Sequence, residues 1–200
     1  MRFTRASGRF SAPLLLALTV LVSGCGYNTI QTLDEGTNKA KQQIAVQLQR
    51  RADLIPNLVE VVKGFAKQES DVFTNVAEAR AKLGGAVTSG DLGQMAAASQ
   101  QMNGALGRLL AISEAYPTLK SNENFIRLQD ELAGTENRVG VARTDYNAAV
   151  NDYNTYIRKF PQLVTAKVMG MKAREYFELT SAAAAAVPKV DFTPPAKKTP

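Results

Sequence analysis

The stretch FIRLQDELAGTENRVGVARTDYNAAVNDYNTYIRKF, residues 125–160, decides the fold. Its apolar and aromatic positions, Phe125, Leu128, Leu132, Thr135, Val139, Ala142, Tyr146, Ala149, Tyr153, Tyr156 and Phe160, alternate spacings of three and four without a break. That is the seam of a heptad-patterned helix, roughly 54 Å long over its 36 residues at 1.5 Å per residue. A period of 3.5 implies left-handed packing against neighbouring helices, the geometry of bundles. Ser121 is the expected N-cap, Glu123 and Arg127 form an i,i+4 pair, and Pro161 stops the run.

Upstream, residues 28–83 repeat the same spacing. Ile30, Leu33, Ala40, Ile44 and Leu48 form one series; Ile55, Leu58, Val62, Phe65, Val72, Val76, Ala79 and Leu83 form another. Pro56 lies between them and has no N–H for a helix interior, so two helices, or one sharply kinked, are expected to join at residues 52–56 with Asp53 as cap. Gly84-Gly85 is the expected stop. Asp91 then opens a helix carrying Leu92, Met95, Ser99, Met102, Leu106 and Leu109, which Tyr116-Pro117 ends. Its small residues Ala96, Ala97, Ala98, Gly104, Ala105 and Gly107 suit close helix–helix approach, with a flexible hinge as the alternative. A short helix from Leu163 to about Phe177 follows, and no period-two strand pattern occurs between residues 30 and 177. The fold class predicted is all-α: a long antiparallel four-helix bundle with a short extra C-terminal helix.

Composition removes most chemistry. The 200 residues include no His, no Trp and one Cys. A His acid–base relay, a Ser–His–Asp triad, a His-containing metal or haem site, an internal disulfide and a thiolate cluster are therefore excluded. The formal charge of +6 sits at the ends: Arg2, Arg5 and Arg9 come before residue 25, and Lys189, Lys197 and Lys198 face only Asp191 in the tail. Residues 25–186 hold 18 bases against 17 acids, which argues for a mixed-sign solvated surface and against a nucleic-acid footprint.

Residues 1–24 have the order of a secretory leader: bases, then the apolar run at residues 13–22, then small residues. The run has about half the residues needed to span a bilayer as a helix. Leu21-Val22-Ser23-Gly24-Cys25 resembles the lipobox of bacterial lipoproteins. That resemblance implies cleavage after Gly24 and acylation of Cys25, and two or more acyl chains make such attachment stable. Gly26 stands where Asp is the usual inner-membrane retention signal, so the resemblance places the protein on the periplasmic face of the outer membrane rather than the inner one in a Gram-negative cell. The domain scheme is a leader at 1–24, a lipidated Cys25 and tether at 25–29, a bundle at 30–178, and an Ala/Pro/Lys tail at 179–200 expected to be disordered.

The words Leu48-Gln49-Arg50-Arg51-Ala52-Asp53-Leu54-Ile55-Pro56-Asn57-Leu58-Val59, Glu78-Ala79-Arg80, Tyr116-Pro117-Thr118-Leu119-Lys120, Tyr146-Asn147, Tyr153-Asn154 and Phe160-Pro161 resemble, in order, the signature of the LemA family. The resemblance covers about residues 27–177. It implies a bacterial envelope protein with a helical bundle, usually attached by an N-terminal membrane segment, and with no agreed catalytic activity or catalytic residues. The lipobox departs from the membrane-segment pattern.

The motif residues carry alternative readings. Arg50 and Arg51 at an inter-helix corner would neutralise helix-end carbonyls, or contact an acidic partner or lipid headgroup. Tyr146-Asn147 and Tyr153-Asn154 lie seven apart on one face, fitting a polar network that partners half-buried phenols, or a groove for a peptide or cell-wall glycan. Asp145 and Asp152, also seven apart, are a candidate acid–base pair, and no feature of the sequence marks either as buried. The function expected is a non-catalytic envelope lipoprotein acting as scaffold or adaptor through protein–protein contacts of its bundle. The alternative is a periplasmic peptide- or glycan-binding module, and a carboxylate-only hydrolase is the remaining case. No cofactor, metal or nucleic acid is expected; the membrane and other envelope proteins are the expected partners.

Overall fold

The computed structural model describes residues 26–178. The leader, Gly24, Cys25 and the tail at 179–200 lie outside the described residues. Helices follow in the order α1 (Tyr27–Phe65), α2 (Ser70–Ser89), α3 (Leu92–Ala115), α4 (Pro117–Lys120), α5 (Glu123–Arg158) and α6 (Gln162–Val168). There is no strand among the described residues.

α1 and α5 form the antiparallel spine: the start of α1 lies against Tyr156, and Arg51 in its second half reaches Glu136. At about 30–36 Å, α2 and α3 reach only part of the way along it. They pack on the second half of α1 and turn at Gly90 beside Lys41. The molecule is thus a four-helix bundle at one end and a two-helix rod, capped by α6, at the other. The main core follows the bundle, with Leu48, Ile55, Leu58, Val76, Leu83, Met95, Met102, Leu109 and Phe125 buried in it. A second core of Ile30, Tyr153, Ile157 and Ala166 fills the rod end.

The expected seam is buried from Phe125 through Tyr146, with Leu128 partly buried, and then shifts. Val150 and Ile157 are buried where the heptad count puts Ala149 and Tyr156, and Phe160 is 82% exposed. A straight helix of 3.6 residues per turn drifts about 20° per heptad against a 3.5 repeat, so after three heptads the buried stripe has advanced by one residue. The helix also ends at Arg158, because the residue before Pro161 disfavours helical geometry.

Three expected boundaries move. α1 runs unbroken through Pro56, so the two-helix alternative at residues 52–56 gives way to one helix, and Asp53 lies inside it rather than capping a second. The break comes after Phe65. α2 passes through Gly84-Gly85, since mid-helix glycine costs only about 1 kcal/mol and Leu83 and Ala86 are buried on either side. It stops at Gly90, whose φ of 68° is the left-handed conformation that ends helices. The cap of α5 is Asn122, whose Oδ1 accepts from the Phe125 N–H at 3.1 Å. Ser121 instead donates to the Pro117 carbonyl at 3.2 Å. Arg127 bonds Asn124 at 3.1 Å rather than pairing with Glu123. Asp91 caps α3 as its sequence implies, accepting from Gln94 N–H at 2.7 Å. On α3, Ala96, Ala98 and Ala105 lie in the packed face, while Ala97, Gly104 and Gly107 are exposed.

The last helix is half the expected length. α6 ends in a Schellman turn: Met171 N–H bonds the Ala166 carbonyl at 2.9 Å, Gly170 N–H bonds that of Lys167 at 3.2 Å, and Gly170 has φ 67°. Residues 171–178 then run extended instead of helical, because their backbone groups find partners on α5.

Candidate functional site

The site is built on α5 by the two Tyr-Asn pairs and covered by residues 171–178, here called the strap. Asn154 Nδ2 donates to the Arg174 carbonyl at 2.9 Å, and its Oδ1 accepts from the Arg174 N–H at 2.8 Å. Asn147 repeats this with Phe177, donating at 3.2 Å and accepting at 2.8 Å. Each carboxamide thus does for one strap residue what a neighbouring β-strand would do. Tyr153 Oη donates to the Lys172 carbonyl at 3.2 Å and Tyr146 Oη to that of Glu175 at 2.9 Å. Strap and α5 run antiparallel.

The repeat distances explain the match. Seven helical residues rise roughly 10.5 Å, and three extended residues span roughly 10 Å. A Tyr-Asn pair on each heptad therefore meets the strap every third residue. The strap begins beside the rod-end core and delivers Phe177 to the bundle core, where it is buried. It covers the part of the spine that α2 and α3 do not reach.

Side chains fix the strap at both ends. The Arg174 guanidinium grips Asp34 of α1 with contacts of 2.7, 2.8 and 2.9 Å, a bidentate charge-assisted pair. Arg143 stacks 4.9 Å from the Phe177 ring centroid and donates to Ser99 Oγ of α3 at 2.9 Å. Burial raises the pKa of Tyr146 above the usual phenol value; the Arg174 charge opposes this and Glu175 adds to it. Burial also raises Tyr153, aided by Asp34 and opposed by Arg174. Both phenols stay protonated donors at neutral pH.

Two further polar links lie in the bundle. Arg51 is buried and ion-paired with Glu136 of α5. Burial pulls its guanidinium pKa down, and Glu136 opposes that pull. Arg143 is lowered in the same way, with Glu136 opposing and Arg51 contributing. Arg80 of α2 donates its Nε–H to the Ala52 carbonyl at 3.0 Å.

These placements revise the sequence expectations for Arg50 and Arg51, which sit inside α1 and not at a corner. Arg50 is exposed, Arg51 is locked between helices, and neither faces a helix-end carbonyl. Tyr146, Asn147, Tyr153 and Asn154 do lie on one face, and the groove they line is filled by the chain's own strap. Asp145 and Asp152 are exposed on α5. Among the described residues, no group of three or more His, Cys, Asp or Glu is placed to hold a metal ion, and no helix is long and apolar enough to cross a membrane. Sequence reasoning missed Asp34, Glu136, Arg143 and Arg174. The one available signal was that two Asn at heptad spacing need main-chain partners, which a Gly-broken segment downstream can supply.

Comparison with known proteins bears on the family. The LemA family model matches residues 40–192. Magnetosome proteins MamQ 1 and MamQ 2 of Paramagnetospirillum magneticum are each 33% identical over 175 residues, covering 76% of this chain and 64% of theirs. The chain thus spans less than two thirds of the length of these two relatives. Magnetosome protein MamQ of Magnetospirillum gryphiswaldense is 30% identical over 203 residues, covering 86% of this chain and 75% of its own. A family match over most of the chain, on a bundle that carries the quoted motif words at its inter-helix links, shows that the chain belongs to the LemA family.

Proposed function

We propose that the protein is a non-catalytic, lipid-anchored envelope protein that works as a scaffold or adaptor, presenting its helical rod to other envelope proteins. The observation that carries this reading is the fate of the family motif residues. Arg51, Arg80, Tyr146, Asn147, Tyr153 and Asn154 all bind other parts of the same chain. Residues so engaged build a stiff shape and are not themselves free for a reaction.

Anchoring follows from the sequence. Cys25 follows an apolar run and two small residues. Acylation there would hold the rod on a membrane face, the periplasmic side of the outer membrane in a Gram-negative cell, with residues 1–24 removed. A peptide or glycan using the Tyr/Asn face would first have to displace the strap, which places that function second.

Two measurements test the reading. The intact mass of protein extracted from membranes in detergent should correspond to a chain starting at Cys25 plus fatty acyl groups; a chain starting at Met1 would remove the lipid anchor. Photo-crosslinkers at the exposed Val46 and Val141 of the full chain should capture discrete envelope proteins. Capture of none, in cells that express the protein at its natural level, would remove the scaffold role.

A further inference from the structure

The rod end carries an apolar and basic corner that no contact within the bundle explains. Among the described residues nine large apolar side chains are exposed, and four of them, Phe160, Val164, Val168 and Met169, fall within ten consecutive residues on and beside α6. Phe160 and Val168 are 82% and 78% exposed. Scattered surface apolar residues need no explanation, but a contiguous group of this kind marks an interaction site.

The charge on and beside α6 is of one sign, and the acids nearest along the chain, Asp34, Glu35 and Asp152, lie toward the spine, Asp34 being paired with Arg174. Residues 26–33 and 153–173, the two segments that form this end, contain Arg158, Lys159, Lys167 and Lys172 and no acid. All four are exposed, and none is ion-paired among the described residues. Elsewhere on the folded body 14 bases stand against 17 acids, so the basic excess is local.

The N-terminus leaves the fold at the same place. Gly26 packs so closely on α6 that a Cβ there would stand 3.0 Å from Gln162 Cγ and 3.4 Å from Tyr156 Oη, at a φ of 132° that favours glycine. Gly26, the residue bonded to residue 25, therefore sits beside α6. Whatever holds residue 25 to a membrane brings this corner to that membrane's surface.

We propose that the α6 corner is a second membrane contact. Phe160, Val164, Val168 and Met169 enter the interfacial region of an anionic bilayer, and Arg158, Lys159, Lys167 and Lys172 pair with its phosphate headgroups. Apolar side chains flanked by bases are the composition that binds such interfaces, through buried area and attraction to anionic lipid together. The contact orients the rod: with α6 on the bilayer, the spine stands away from it and presents α2 and α3 at a distance. The inference rests on the anchoring proposed above.

The chain lacks Trp, so one introduced Trp is a sole reporter. Full-length protein carrying Phe160→Trp, Val168→Trp or, as control, the exposed mid-spine Val141→Trp is purified from membranes and reconstituted into phosphatidylethanolamine/phosphatidylglycerol vesicles with brominated acyl chains. The first two should lose about half of their emission or more, as interfacial residues do, and the control should not. Adding Lys159→Gln, Lys167→Gln and Lys172→Gln should abolish the quenching while the protein still floats with the vesicles. Floating Phe160→Trp protein that is quenched no more than the control overturns the contact and leaves the anchor standing. Quenching that survives the three Gln substitutions marks passive proximity and overturns it as well. Protein that does not float overturns contact and anchor together.

Discussion

Arg80 Nε lies 3.0 Å from the Ala52 carbonyl, the acceptor that Pro56 leaves unpaired four residues along α1. Proline has no N–H to return to that carbonyl, and an unmet backbone group is what makes a mid-helix proline costly. An arginine from the next helix supplies the missing donor. The proline and the Glu78-Ala79-Arg80 word are therefore two halves of one device, and α1 continues to Phe65 because of it.

Arg80→Ala should destabilise the protein by about 1–2 kcal/mol, the cost of stranding a half-buried acceptor. In a Pro56→Ala background, where residue 56 can donate again, the same change should cost much less. Urea midpoints of the four proteins give the coupling directly. Equal costs in both backgrounds would show that Arg80 acts elsewhere.

The Arg51–Glu136 pair should behave as a buried link with one partly screened partner. Glu136→Ala leaves Arg51 buried without its counter-charge and should cost about 2 kcal/mol, below the 3–5 kcal/mol of a fully buried break because Glu136 is 38% exposed. Replacing both, Arg51→Met with Glu136→Leu, should restore most of the loss, as apolar pairs often match buried ion pairs. Thermal or urea unfolding reads both outcomes.

Releasing the strap should be local. Asn154→Ala removes two hydrogen bonds to Arg174, and Asn147→Ala removes two to Phe177. Amide exchange at Arg174 and Phe177 should accelerate about tenfold or more, while exchange at the buried Leu48 and Leu109 stays near wild type. Uniform acceleration at all four would make the strap part of the global fold.

Alkaline pH should loosen the same face. Tyr146 and Tyr153 hold their protons more tightly in the fold than in the unfolded chain, mainly through burial. Below about pH 10 both states are protonated and stability is flat. Above it the unfolded chain gives up these protons first, so it binds fewer than the native state and stability falls with rising pH until the folded phenols ionise too. Tyr146→Phe with Tyr153→Phe should flatten that fall in urea midpoints measured from about pH 8 to 11.

Legibility followed sequence distance. The α5 seam, the Asp91 cap and the Pro117 stop are set by neighbours one turn away, and each is readable from residue type and spacing. Where local rules compete, contacts decide. Pro56 and Gly84-Gly85 look like breaks, and both are overruled: the first by Arg80, the second by the buried Leu83 and Ala86 that flank it. The same holds for the end of the chain, where residues 171–177 read as helix yet gain more from Asn147 and Asn154 than from one another. For the site, the face was legible and its occupant was not.

The sequence alone determined that the chain is helical, where most helices begin, and that two Tyr-Asn pairs share a face, because all of these depend on a period of 3.6 within one element. Only the tertiary structure decided that the strap fills that face, that Arg174 grips Asp34 across 140 residues of chain, and that Arg80 completes α1 across 28. Those pairings depend on which helices lie side by side and how far each reaches, and α2 and α3 stop short of the rod end. That uncovered length of spine is what draws residues 171–178 into an extended strap.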